Sequence, residues 1–442
     1  MPSTNFKQMK GLRYALFSLM VAIHLIGCSN KNEKRYEADL LVSWNELIMK
    51  IAVEEDGLLT LKGVRTAAMM HTAIHDALNI IDPRYTAYSY QGEATNAHPL
   101  SSAAQAAFEV ASHQYPNKKN DLLKELDKWL SLVPDGSNKQ SGISIGRSSA
   151  ESILESRSND DYNGDADYTW HPMAPGVYAE FNEHSGTPEG FIFGAGWAAA
   201  KPFLLPTQNH FRSPPPPEIN SQAYTEAFNE VKAYGSFESS VRSEDQAHLA
   251  MWWKDFVENS HNRLARDLVM KENLDLWEAA RLFALLNMTI YDAYVNVFDN
   301  KFHYNHWRPY TAIRWADNDG NPETELDTGW NNLHKHTYAF PSYPSAHGTA
   351  SSAAMTVLAN TLGKGNDYAF TMTTEEVEKA GPFSEKVSMI PPTRSFDSFS
   401  QAGLEASMSR VYLGIHFRYD SEEGHKLGNS IGQYAVDHFL KP

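Results

Sequence analysis

Ser409-Arg410-Val411-Tyr412-Leu413-Gly414-Ile415-His416-Phe417-Arg418-Tyr419-Asp420 decides how this chain is read. An apolar helical run from Phe399 delivers Arg410 to its end, and Gly414 is the residue able to interrupt the helix there. The break allows Arg410 and His416 to point at one centre. Asp420 stands four residues after His416, one turn on if the helix resumes. A carboxylate in that place can fix the imidazole tautomer through one ring nitrogen, leaving the other to attack phosphorus or to bind a metal. Taken alone, the stretch reads more readily as an ordinary helix end with a solvated Arg and His.

Two upstream segments change the balance. Lys301 and Arg308 lie seven residues apart, two turns on one helical face, and Pro309 breaks the element just after Arg308. His303, Tyr304, His306 and Trp307 make that neighbourhood aromatic, as a pocket wall would be. Pro344-Ser345-Ala346-His347-Gly348-Thr349 opens a helix that runs to Leu362. Backbone N–H groups at such a start are free, the helix dipole favours an anion, and Ser345 adds a hydroxyl. His347 is suited to proton transfer near neutral pH. Together the segments supply three cations, a hydroxyl, backbone donors and two histidines, the donor set a tetrahedral oxyanion requires.

The remaining chain reads as mainly α. Apolar residues recur at three- and four-residue spacing in Leu40–Ala52, Leu61–Ile80, Ala103–His113, Leu122–Leu132, Ser221–Ala233, Ser243–Asn259, His261–Met270, Leu276–Phe298, Glu375–Ala380 and Phe399–Arg410. Residues 158–217 are rich in Gly, Pro and aromatics, and Pro214 to Pro217 are consecutive, so this part is a long arm. The expected organisation is an N-terminal helical region, 40–240, containing that arm, and a C-terminal region, 241–442, carrying the oxyanion site. Arg65 and Asp76 are 11 residues apart, as are Arg281 and Asp292, and Ala68 and Ile74 match Ala284 and Ile290. Either two related bundles or two convergent buried helices would give this echo. His71 and His75 share a helix face, but no third ligand is evident, so a structural pair outweighs zinc.

Among 442 residues, acidic side chains outnumber basic ones for a net charge of −16, which argues against nucleic acid or an anionic membrane surface as partner. Residues 1–27 have the form of a signal peptide: Lys7, Lys10 and Arg13 precede an apolar run ending in Leu25-Ile26-Gly27-Cys28. Cys28 is the single cysteine, so there is no disulfide framework and no thiol site. Its context resembles a bacterial lipobox, which implies lipidation of Cys28, a polar tether over 28–39, and an exported chain held at a bacterial membrane.

The three segments resemble the signature shared by type 2 phosphatidic acid phosphatases and vanadium-dependent haloperoxidases, and the longer stretches around Pro214–Pro217, Ala280-Arg281-Leu282 and Trp307–Arg314 resemble bacterial haloperoxidases. The resemblance implies an all-α fold of helical bundles, possibly two related four-helix bundles. It implies vanadate as cofactor, held by Lys301, Arg308, Ser345, the backbone of Ala346 and Arg410. His416 would ligate vanadium, supported by Asp420, and His347 would be the acid–base group. Hydrogen peroxide and halide would be the substrates, and self-association is left open. A phosphatase acting through His416 as nucleophile, or an oxyanion-binding lipoprotein without catalysis, would use the same residues. Ala346 stands where the family has Gly, which puts vanadate affinity in question if that position needs positive φ. Phe340 and Trp307 are the candidates for the halide pocket, Phe340 occupying the place where chloride-oxidising members carry Phe.

Overall fold

The computed structural model describes residues 37–442, apart from 57–60, 93, 95, 163, 165–167, 180–191 and 382–383. The leader, Cys28 and most of the expected tether therefore lie outside the described residues. Thirteen α-helices are present among those described: α1 (Asp39–Asp56), α2 (Leu61–Ile81), α3 (Pro99–Gln114), α4 (Lys119–Ser131), α5 (Ser137–Ser156), α6 (Gln222–Tyr234), α7 (Glu244–Trp252), α8 (Val257–Lys271), α9 (Leu276–Tyr304), α10 (Pro309–Arg314), α11 (Ala346–Thr361), α12 (Phe399–Leu413) and α13 (Arg418–His438). No described helix is long and apolar enough to cross a membrane.

Helix α9 is the spine. Asp275 caps it, accepting from the N–H groups of Trp277 (3.0 Å) and Glu278 (2.9 Å), while Glu278 accepts from the Asp275 N–H at 2.8 Å. Apolar residues all round it are buried, because α2 packs on one side and α11 and α13 on the other. Helices α2, α3 and α5 form one bundle, and α9, α11, α12 and α13 form a second.

Matching contacts relate the two bundles. The His98 N–H donates to the Asn138 carbonyl at 2.9 Å, and the Ser345 N–H donates to the Asp420 carbonyl at 2.9 Å. Four residues beyond Asn138 and Asp420, Gly142 and Gly424 sit against the carbonyls of His98 and Ser345. One turn further, Gly146 and Gly428 sit against those of Ser102 and Thr349, where a Cβ would collide with the oxygen. Asp76 accepts from three consecutive backbone N–H groups, those of Tyr88, Ser89 and Tyr90, and Asp292 does the same with Phe203, Leu204 and Leu205. Convergence of two helices would not reproduce this register, so the echo between Arg65–Asp76 and Arg281–Asp292 belongs to a repeated bundle. In the first copy His98 and Asn138 stand where Ser345 and Asp420 stand in the second.

Three sequence expectations are corrected. Helix α5 lay outside the expected helices because its buried stripe is Gly142, Gly146, Ala150 and Ile153, small residues that bring backbones together without a strong apolar period. Residues 375–380 are not helical: Glu376–Glu378 is a strand, β2, paired antiparallel with Lys386–Ser388, β3, with Val377 buried opposite Val387. Strands Phe370–Thr373, β1, and Thr393–Phe396, β4, pair beside it. The single helix expected over 243–259 is two helices, because residues 253–256 leave the helical path between α7 and α8.

His71, His261 and His306 are buried, and burial pulls them from 6.5 down to about 3, 4 and 3. A depressed histidine favours the fold fully above its unfolded value and loses that contribution as pH falls below it. Each group then costs up to about 1.4 kcal/mol per pH unit below about 6.5. Urea midpoints are expected to drop steeply between pH 6.5 and 5; a flat profile would show that the three can charge in place.

Candidate oxyanion site

The N-terminus of α11, the end of α9 and the α12–α13 junction meet beside a cavity of about 90 Å³. Arg308, Arg410, His347, His416 and Ala346 line it, with Phe340 and Lys254. Lys301, Ser345 and Asp420 lie behind that lining, fully buried.

Lys301 and Arg308 do not share one helix. Asn305, in the left-handed region at φ 45°, ends α9, and Arg308 then caps α10 with Pro309 in its first turn. The Lys301 ammonium donates to the carbonyls of Pro341 (3.0 Å) and Ser342 (2.7 Å). Arg308 donates through Nε to Phe340 O at 2.9 Å and through Nη1 to Ile415 O at 3.0 Å, while its buried Nη2 has no hydrogen-bond partner. Arg410 donates to Ser409 Oγ at 3.0 Å and Ala250 O at 3.3 Å. Burial pulls Arg308 and Arg410 each down to about 10 and Lys301 well below its ordinary range. Three buried cations face one nearby carboxylate, Asp420, and such uncompensated charge is costly without a further anion.

Gly414, at φ 85°, ends α12 and turns the chain so that His416 enters the cavity. Its Nδ1 lies 3.0 Å from Asp420 Oδ2 and 3.1 Å from Ser342 Oγ. Ser342 donates to the same carboxylate oxygen, and the Phe417 N–H reaches it at 3.1 Å. These acceptors place the proton on Nδ1 and leave the Nε2 lone pair facing Arg308 Nη1 at 3.4 Å. Burial, then Arg308, Lys301 and Arg410, hold His416 well below its ordinary value, so it is neutral. Burial pushes the Asp420 carboxyl up, opposed by the Ser342 hydroxyl, Lys301 and the Phe417 N–H.

Ser345 caps α11, its Oγ accepting from the Gly348 N–H at 3.2 Å. Ala346 is the first helical residue and is absent from the positive-φ positions, so its methyl group imposes no left-handed strain. His347 packs edge-on against Trp253 at 6.3 Å, and its buried Nε2 has no partner. Burial, Arg410 and His261 depress it.

Phe340 reaches the cavity and lies under two cations, 4.7 Å from the Arg308 guanidinium carbon and 5.2 Å from Lys301 Nζ. Trp307 does not. It is buried with Tyr224, Phe228 and Phe417 in a separate core, because the extended backbone at Arg308 sends neighbouring side chains to opposite sides. Ser342 and Lys254 escaped sequence reasoning. Ser342 lies four residues before the helix, upstream of its cap, and its partners are His416 at the α12–α13 junction and Asp420 in α13. Lys254 sits in the break at 253–256, where the apolar spacing predicts continuous helix. Phe193 and Trp197 also line the cavity from the arm.

Buried cations, the backbone donors at the start of α11 and a carboxylate-supported histidine together make up a donor set that could hold a tetrahedral oxyanion. A family model for the second helical-bundle domain of vanadium chloroperoxidase matches residues 281–442. The vanadium chloroperoxidase of Curvularia inaequalis is 23% identical, the match covering 91% of this chain and 83% of that protein. A bacterial vanadium-dependent iodoperoxidase superposes with a TM-score of 0.74 at 22% identity, covering 92% of this chain and 98% of its own. A bacterial vanadium-dependent chloroperoxidase superposes with a TM-score of 0.68 at 17% identity over the same shares. Residues 281–442 thus match a vanadium chloroperoxidase domain, and over most of its length the chain shares the fold of the bacterial vanadium haloperoxidases.

Proposed function

We propose that this protein is a vanadate-dependent peroxidase that oxidises halide with hydrogen peroxide to a hypohalous acid equivalent. The observation that carries the reading is the pair of buried polar atoms without partners, Arg308 Nη2 and His347 Nε2, on residues that line a cavity also holding Arg410 and the His416 Nε2 lone pair. The donor set fits vanadate. Lys301, Arg308, Arg410, Ser345 and the first N–H groups of α11 would hold its oxygens, and His416 would ligate it through Nε2. Bound vanadate supplies a Lewis acid that makes peroxide electrophilic toward halide without a change of oxidation state.

The protein's own groups do the rest. His347 Nε2, neutral where it is buried, takes the proton that hydrogen peroxide must lose, and the entering negative charge raises its basicity. Asp420 and Ser342 hold the His416 proton on Nδ1. Phe340 and the neighbouring aromatics keep bulk water from the cations and present an apolar face to a polarisable halide. The test is oxidation of iodide, bromide and chloride by protein beginning after Cys28, with and without orthovanadate. Phosphate-ester hydrolysis by the vanadate-free protein, without halide oxidation, would make it a phosphatase on the same donors.

The export reading completes the proposal: Cys28 carries lipid and holds the domain at a bacterial membrane. Replacing Cys28→Ser is expected to move the protein from the membrane pellet to the soluble fraction. Retention in the pellet would show that lipid on Cys28 does not hold the protein at the membrane.

A further inference from the structure

Residues 253–256, a turn and bend that ends in extended backbone at Phe256, form a thin wall between two cavities. On one side is the oxyanion cavity of about 90 Å³, faced by Lys254 and Val257. On the other lies a chamber of about 580 Å³, faced by Asp255 together with Arg263, Arg266 and Glu378. Phe256 lines both. Its backbone is extended, φ −64° and ψ 136°, the conformation that sends successive side chains to opposite faces.

The wall is pinned on either side of Phe256. The Lys254 ammonium donates to the carbonyls of Glu378 and Ala380, the second at 2.5 Å. Asp255 accepts from the Arg263 guanidinium and from Thr374 Oγ1 at 3.2 Å. The Phe256 carbonyl accepts from the N–H groups of Asn259 (3.1 Å) and Ser260 (2.9 Å). Its ring is the part-exposed element between two fixed posts. The outer chamber has the size of a small-molecule site, and carboxylates and cations both line it.

We infer that Phe256 is the size-determining partition between this outer chamber and the oxyanion cavity, and that the neutral peroxide substrate enters past it. The inference rests on the peroxidase reading for its substrate but not for its geometry. Hydrogen peroxide passes beside the ring; an alkyl hydroperoxide is held in the outer chamber.

Two variants and two readouts test it. With vanadate-loaded protein, Phe256→Ala is expected to raise kcat/KM for tert-butyl hydroperoxide about tenfold or more while hydrogen peroxide changes by less than about twofold; Phe256→Trp lowers both. Independently of activity, stopped-flow protein fluorescence follows inorganic phosphate exchanging with the vanadate-free site. Phe256→Ala is expected to speed association and dissociation together, about fivefold or more, leaving Kd in place, and Phe256→Trp to slow both. Faster phosphate exchange without peroxidase activity would keep the partition and remove the peroxidase reading. Exchange rates within about twofold of wild type in both variants, or no gain for the alkyl hydroperoxide in an active enzyme, would overturn the inference.

Discussion

Replacing His416→Ala is expected to abolish vanadate-dependent halide oxidation, with a loss of more than about 10³-fold, the scale seen when one member of a tightly coupled catalytic unit is removed. His416 has Arg308 near Nε2 and Asp420 and Ser342 at Nδ1, so its ring is held with the Nε2 lone pair presented to the cavity. Its removal leaves Lys301, Arg308 and Arg410 in place, and orthovanadate binding, followed by isothermal titration, should weaken without vanishing. The fold should persist, because the deleted ring is itself a polar group held below its ordinary value by burial and then by three cations. Unchanged circular dichroism with lost activity is the expected pattern. Retained halide oxidation would show that the oxyanion is activated without a protein ligand at this position.

The second large effect belongs to Asp420→Asn. The amide is close in shape to the carboxylate and can still accept from the Phe417 N–H and from His416 Nδ1, but it removes the negative charge beside Lys301 and Arg308. Removing one partner of a buried charge set costs about 3–5 kcal/mol, so the anion-free variant should melt well below wild type. Orthovanadate should restore part of that loss, since binding to the native state alone stabilises it and now supplies the missing negative charge. Activity should fall by about 10–100-fold, the range for a group that orients a metal ligand. Equal melting of variant and wild type without vanadate would mean that Asp420 is already neutral in the empty site.

The site was more legible in the sequence than the fold around it. Arg308, Arg410 and His416 are expensive residues to bury, so their ordered spacing around Pro309 and Gly414 carried information that helical periodicity did not need to supply. Gly414 announced its turn because the left-handed conformation there favours glycine. The repeat was visible in Arg65–Asp76 and Arg281–Asp292, yet only the carbonyl contacts of Gly142 and Gly424 separate duplication from convergence. What sequence reasoning missed depends on tertiary approach. Helix α5 is held by small residues, β2 by Val377 packing under a glutamate-rich surface, and the break at 253–256 by Lys254 finding carbonyls more than 120 residues away. Trp307 went to the core because adjacent residues in an extended segment face opposite ways. The expected strain at Ala346 does not arise, since the first turn of α11 accepts any L residue there.

If these buried cations hold vanadate for peroxide chemistry rather than phosphate for hydrolysis, halide oxidation must depend on added vanadate. The most direct measurement is bromide oxidation by hydrogen peroxide, titrated with orthovanadate, using vanadate-free protein that begins after Cys28. Activity is expected to rise from zero, to saturate at one vanadate per chain and to be suppressed by competing phosphate. No halide oxidation at saturating vanadate, with ester hydrolysis by the vanadate-free protein, would contradict it.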